Sequence, residues 1–138
     1  MKLIAAVVAF AAALAMFAGT EAARSNPQDG IAAVIERQVQ AFQRDDGKAA
    51  FAIASPTIQQ KFGSAARFMM MVATAYPQIY RADELTFLDR APFQGRILQK
   101  VLVKDVRGEL VTAVYAMVQI DKMWRIDGCW LLKTGSEV

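Results

Sequence analysis

The sequence has no histidine and one cysteine, Cys129, among 138 residues. Histidine is the side chain that most often serves as general base or metal ligand near neutral pH. Without it, Ser-His-Asp and Cys-His triads are impossible, and zinc, haem and iron–sulfur centres are not expected. A lone cysteine also closes no disulfide within the chain. Charge of one sign is lacking too: 16 Lys and Arg stand against 13 Asp and Glu, a net charge of +3. Solubility accounts for so mild a basicity, and nucleic acid is not an expected partner. There is no internal repeat, no low-complexity tract and no interdomain linker.

One long apolar run is present, at the N-terminus. Lys2 precedes the stretch Leu3 to Ala18, and Gly19-Thr20-Glu21-Ala22-Ala23 follows with small residues at Thr20 and Ala22. This is the pattern of a cleavable signal peptide over residues 1–22. As a helix the stretch would reach about 24 Å, short of the roughly 30 Å hydrocarbon core. No cysteine stands at the cleavage point for lipid attachment, and no twin-arginine pair precedes the run. Export is therefore expected in the unfolded state, to the periplasm or the outside, with no cofactor loaded beforehand. Residues 23–138 are expected to form a single domain, large enough to bury about two-thirds of its unfolded surface.

The first half of that domain has helical periodicity. Asn26-Pro27-Gln28-Asp29 has the composition of a helix start, and Ile31, Val34, Ile35, Gln38, Val39 and Phe42 then recur at helical spacing. Asp46 is placed to cap a second short helix through Ile53. Ser55-Pro56 separates it from a third, closed by Gly63, and Ser64 opens a fourth over Ala65 to Tyr76 that Pro77 limits. From Leu85 the period changes to two, giving strands near 85–90, 96–105, 110–120 and 123–132. Turns at Arg107-Gly108 and Asp121-Lys122 should join the last three as an antiparallel meander. Helices first and strands second indicate α+β, with N-terminal helices packed on one face of a curved antiparallel four-stranded sheet, a cone or roll.

Four segments carry a resemblance: Ala41-Phe42-Gln43-Arg44-Asp45-Asp46-Gly47, Ala54-Ser55-Pro56, Lys61-Phe62-Gly63, and Trp124-Arg125-Ile126-Asp127-Gly128-Cys129-Trp130. Together they resemble the nuclear transport factor 2-like (SnoaL-like) cone-roll superfamily, and most of all an uncharacterised exported bacterial family within it. The resemblance covers residues 30 to 132. It implies a concave pocket between the first helix and the sheet. It leaves the activity open, because the superfamily includes isomerases, dehydratases, ligand binders and interaction modules. Dimerisation through the outer sheet face is common among such proteins, and Trp124 or Trp130 would suit that interface as well as a core.

Phe68-Met69-Met70-Met71-Val72 is the most unusual local feature. Five successive apolar residues at 100° per step leave no polar side on that turn of helix. Either the helix is wedged between sheet and helices with methionine filling gaps, or one arc lines an apolar pocket or a partner groove. The expected pocket residues are Phe42, Phe68, Met70, Met71, Tyr115 and Met117. Arg125, Asp127 and Cys129 alternate on one face of the last strand, with Trp124, Ile126, Trp130 and Leu132 on the other. Asp127 would serve as a base if buried, with Tyr76, Tyr80 or Tyr115 donating to an oxyanion as in ketosteroid-isomerase-like relatives. Alternatively it pairs with Arg125 or a neighbouring strand's lysine. Cys129 is expected to be a buried, inert thiol, a reactive one being the alternative. Arg96, Lys100 and Lys104 share a face with Leu98 and Leu102, which is either solvated or touches an anionic partner or lipid peripherally.

The sequence thus favours an exported binding or interaction module with an apolar pocket, for a small lipophilic ligand or an exported protein partner. A small cofactor-independent isomerase or dehydratase is the alternative.

Overall fold

A computed structural model of the protein describes residues 30–132. The proposed leader and the Asn26–Asp29 helix start lie outside the described residues. Among the described residues five helices come first: α1 (Gly30–Gln43), α2 (Gly47–Ile53), α3 (Pro56–Phe62), α4 (Ala65–Ala75) and α5 (Pro77–Tyr80). Four strands follow, β1 (Ala82–Phe93), β2 (Arg96–Asp105), β3 (Leu110–Ile120) and β4 (Met123–Leu132), paired in sequence order as an open, curved antiparallel sheet. The fold is α+β, and the meander takes in all four strands.

Capping chemistry sets the helix boundaries. The Asp46 carboxylate accepts from the Ala49 amide at 3.1 Å, the Ser55 hydroxyl from Ile58 at 3.3 Å, and the Ser64 hydroxyl from Arg67 at 3.2 Å. Each satisfies a donor that has no partner within its own helix. Gly63 ends α3 at φ 78°, where a side chain would be strained. Pro77 does more than limit α4, since it stands in the first turn of the short α5.

Two tight turns have positive φ at both central residues, Gln94-Gly95 (50° and 78°) and Asp121-Lys122 (51° and 66°). That geometry matches the twist of the flanking strands. The β2–β3 connection is longer than the Arg107-Gly108 pair suggests. It spans residues 106–109, and the buried Asp105 carboxylate accepts from the Arg107 and Glu109 amides, both at 2.9 Å.

The core lies between α1 and the concave sheet face. Ile31, Val34, Ile35, Val39 and Phe42 from α1 meet Val101, Val103, Ala113, Tyr115 and Met117 from β2 and β3. Burying each of the larger side chains contributes about 1.5–3 kcal/mol. The approach is close: a Cβ at Gly30 would stand 3.0 Å from the Trp124 ring. Phe68 of α4 is a hub for three rings, with centroids 6.2 Å from Phe42, 5.6 Å from Phe51 and 5.8 Å from Phe62.

A β-bulge corrects the expected faces of β4. Met117 pairs with Ile126 and Ala116 with Gly128, leaving Asp127 unmatched in β3. One extra residue inverts the alternation beyond it. Trp124 and Ile126 pack on the core before the bulge, and Cys129 and Leu131 do so after it. Trp130 and Leu132 consequently do not share a face with Trp124 and Ile126; Trp130 is 53% exposed. Gln99 is fully buried on the β2 face it shares with Val101 and Val103, opposite a second irregularity between Phe87 and Arg90 of β1. Its amide nitrogen donates to the Leu88 carbonyl at 3.1 Å and its oxygen accepts from Arg90.

Candidate functional site

A cavity of about 560 Å³ opens between the helices and the β3–β4 half of the sheet. That is within the size range of small-molecule sites. Gln38 and Phe42 of α1 and Tyr115 of β3 line it, as do Ile58 and Phe62 of α3. From α4 come Phe68, Met71 and Val72, and from β4 the run Ile126 to Trp130. The exposed Lys61, Ala75 and Trp130 also border it, marking the side that meets solvent.

Four expected pocket residues, Phe42, Phe68, Met71 and Tyr115, come together here. Two do not. Met70 is 69% exposed and turns away from the cavity, and Met117 is fully buried in the core without lining it. The physical reason for the first lies in α4, whose apolar run is divided by direction. Phe68 and Val72 enter the core and Met71 faces the cavity, while Met69 packs so closely on α2 that a Cβ at Gly47 would stand 2.7 Å from its Cγ. Met70 is left for solvent. Met117 lies past the bulge in β3, paired with Ile126, and is enclosed in the core instead.

The polar groups of the cavity differ in whether they are engaged. Asp127 is nearly buried, its side chain 9% exposed, and both its oxygens are taken. Oδ1 accepts from the Ser55 hydroxyl at 2.6 Å and Oδ2 from Arg96 Nε at 2.5 Å. The expected partners, Arg125 or a strand lysine, are not the ones found; Arg125 donates instead to the Ala52 carbonyl. Ser55 carries two duties, since the same hydroxyl caps α3, and its amide donates to the Ile126 carbonyl at 2.8 Å. The Tyr76 hydroxyl donates to the Cys129 carbonyl at 3.0 Å. Burial, with the Cys129 thiol nearby, raises its pKa above the usual phenol value. Gln38 donates to the Ala50 carbonyl at 3.2 Å.

Tyr80 lies elsewhere. It donates to Asp45 at 2.6 Å beneath the Arg81 guanidinium, which also binds Asp45 at 2.8 Å. The hydrogen bonds from Tyr80 and then Arg81 lower the Asp45 pKa, and the same bond raises that of Tyr80. This cluster fastens the α1–α2 turn to α5.

Tyr115 is the exception. The residue is 1% exposed, it lines the cavity, and its hydroxyl has no hydrogen-bond partner among the described residues. Its polar neighbour is the Cys129 sulfur, a weak acceptor for the phenol that does not replace an oxygen partner. Burial pushes the Tyr115 pKa well above the usual phenol value and lifts the Cys129 thiol to about 12. Both groups are neutral at physiological pH, so the floor of the cavity offers uncharged hydrogen-bonding groups in an apolar setting. Cys129, partly buried along the cavity, is thus a thiol rather than a reactive thiolate. Among the described residues no three His, Cys, Asp or Glu side chains gather as a metal site.

Gln38, Ser55 and Lys61 also belong to the site or its polar clamp, and their sequence context did not single them out. The signal for Gln38 was present, a polar residue in the apolar series from Ile31 to Phe42. Ser55 and Lys61 stand inside quoted segments but carried no role there.

No curated protein and no solved structure matches the chain. A family model described as a domain of unknown function, DUF4864, matches residues 24–138. With helices, sheet and cavity contained in that span, the chain belongs to the DUF4864 family.

Proposed function

We propose that the protein binds a small apolar ligand bearing one uncharged hydrogen-bond acceptor, within the cavity between helices and sheet. The observation that carries this reading is the Tyr115 hydroxyl, buried at the floor of a 560 Å³ space with only the Cys129 sulfur beside it among the described residues. An unsatisfied buried hydroxyl costs the fold about 1–3 kcal/mol, a cost that a ligand oxygen would remove. A further support is that all four segments of the cone-roll resemblance contribute to the lining. Phe42, Ala54, Lys61-Phe62 and the Ile126–Trp130 run come from one segment each. Membership of the nuclear transport factor 2-like superfamily is part of the same proposal. So is export, which rests on the leader pattern of residues 1–22.

Proton abstraction by Asp127 draws no support from a carboxylate whose oxygens already accept from Ser55 and Arg96. The test is titration of the protein with a solvatochromic naphthyl ketone, an apolar fluorophore with one carbonyl. Saturable one-site binding with blue-shifted emission is expected, and emission unchanged from that in water would refute the reading.

A further inference from the structure

Among the described residues two charged side chains border the cavity, Asp127 and Lys61, and they are not equivalent. Asp127 is neutralised by Arg96. Lys61 makes no ion pair among the described residues; its ammonium lies 5.5 Å from the centroid of the Phe62 ring, itself a lining residue. The cavity therefore has an apolar interior, a neutral phenol and thiol at its floor, and one uncompensated positive charge on its exposed side. A ligand carboxylate placed against Tyr115 and Cys129 would lose its hydration without meeting a cation. Placed at Lys61 it would keep water and gain a counter-charge.

We infer that the natural ligand is an amphiphilic monocarboxylate. It enters chain first, with its carboxylate held by Lys61 at the mouth and its apolar body against Phe42, Phe62, Phe68 and Met71. This rests on the cavity reading above and adds the charge and the direction of the ligand. Lys61 is positioned for it by α3: it stands in the last turn of that helix, one residue before the Phe62 ring and two before the Gly63 cap. Tyr115 then meets an uncharged oxygen further along the chain.

The experiment displaces the naphthyl ketone from the full-length protein with decanoate or with decan-1-ol, at pH 8 and low salt, using wild type, Lys61→Gln and Lys61→Glu. Decanoate is expected to bind about fivefold more weakly to Lys61→Gln than to wild type, and more weakly still to Lys61→Glu. Decanol affinity should stay within a factor of two throughout, and added salt should reduce the decanoate difference. Equal decanoate affinity in wild type and Lys61→Gln would overturn the inference. So would a parallel loss for acid and alcohol, or a failure of decanoate to displace a ketone that does bind. Failure of the ketone itself to bind would remove the cavity reading as well. Lys61 is exposed, so both variants are expected to fold, and unchanged thermal unfolding provides the check.

Discussion

Tyr115 and Cys129 face one another across a β3–β4 register pair, and burial sets the chemistry of both. The thiol, raised to about 12 from an ordinary 9.0 by burial, keeps its proton at neutral and mildly alkaline pH. Native protein at pH 8 is thus expected to resist iodoacetamide, whereas the chain in guanidinium should label completely. Labelling at the same rate in both states would contradict the assignment. Linkage gives a second consequence. Groups whose pKa is raised on folding favour the folded state below their ordinary values and lose that contribution as pH rises through the folded ones. Cys129, Tyr76 and Tyr115 all shift upward. Stability should therefore hold to about pH 9 and then fall, Cys129 and Tyr115 each adding about 1.4 kcal/mol per pH unit once only the unfolded form ionises, and the more exposed Tyr76 adding less. Denaturant midpoints between pH 8 and 11 measure this, and Cys129→Ala should flatten the decline between pH 9 and 10. Asp45 has the opposite sign. Lowered by Tyr80 and Arg81, it supports the fold above its ordinary value of 3.8 and loses that support as pH falls below it.

Among the elements, β4 shows what periodicity reads and what it does not. Its bounds and antiparallel pairing followed from alternation and from the Asp121-Lys122 turn, which are local signals. Its faces did not, because a bulge depends on how the strand meets its neighbours. Asp127 is the residue it displaces, and tertiary partners from β2 and the α2–α3 junction hold it there. No local pattern announces an Arg96–Asp127–Ser55 clamp across 31 and 72 residues of chain. In α4 the run Phe68–Val72 was plain as a run, but its division into core, cavity and solvent depends on α2 and the sheet. The clamp makes a prediction. Ser55→Ala removes a helix cap and an Asp127 donor together, and should cost about 2 kcal/mol. Asp127→Asn leaves Arg96, whose side chain is 39% exposed, to rehydrate. Its cost should also be about 2 kcal/mol, below the value for breaking a fully buried pair. Urea midpoints of both variants test the pair, and losses under 0.5 kcal/mol would mean that the clamp is ornamental.

Taken as a whole, the molecule is a set of short capped helices closing one side of a curved sheet. The α+β class, the helix order and the four strands were legible because caps, prolines and the change from helical period to two are written locally. The cavity was legible in part: Phe42, Phe68, Met71 and Tyr115 belong to it, and Met70 and Met117 do not. What no sequence pattern conveys is that Tyr76 finds the Cys129 carbonyl, Tyr80 finds Asp45, and Tyr115 has only the Cys129 sulfur beside it among the described residues. That contrast among three tyrosines is the centre of the functional account.

The most direct test is thermal unfolding of wild type and Tyr115→Phe, each with and without the naphthyl ketone. If the hydroxyl awaits a ligand, removing it relieves an unsatisfied group. The free variant should then be more stable by about 1 kcal/mol, or about 5 °C in Tm for a domain of this size, while the ketone raises its Tm clearly less than that of wild type. A free variant that is less stable, together with equal stabilisation of both proteins by the ketone, would contradict the account.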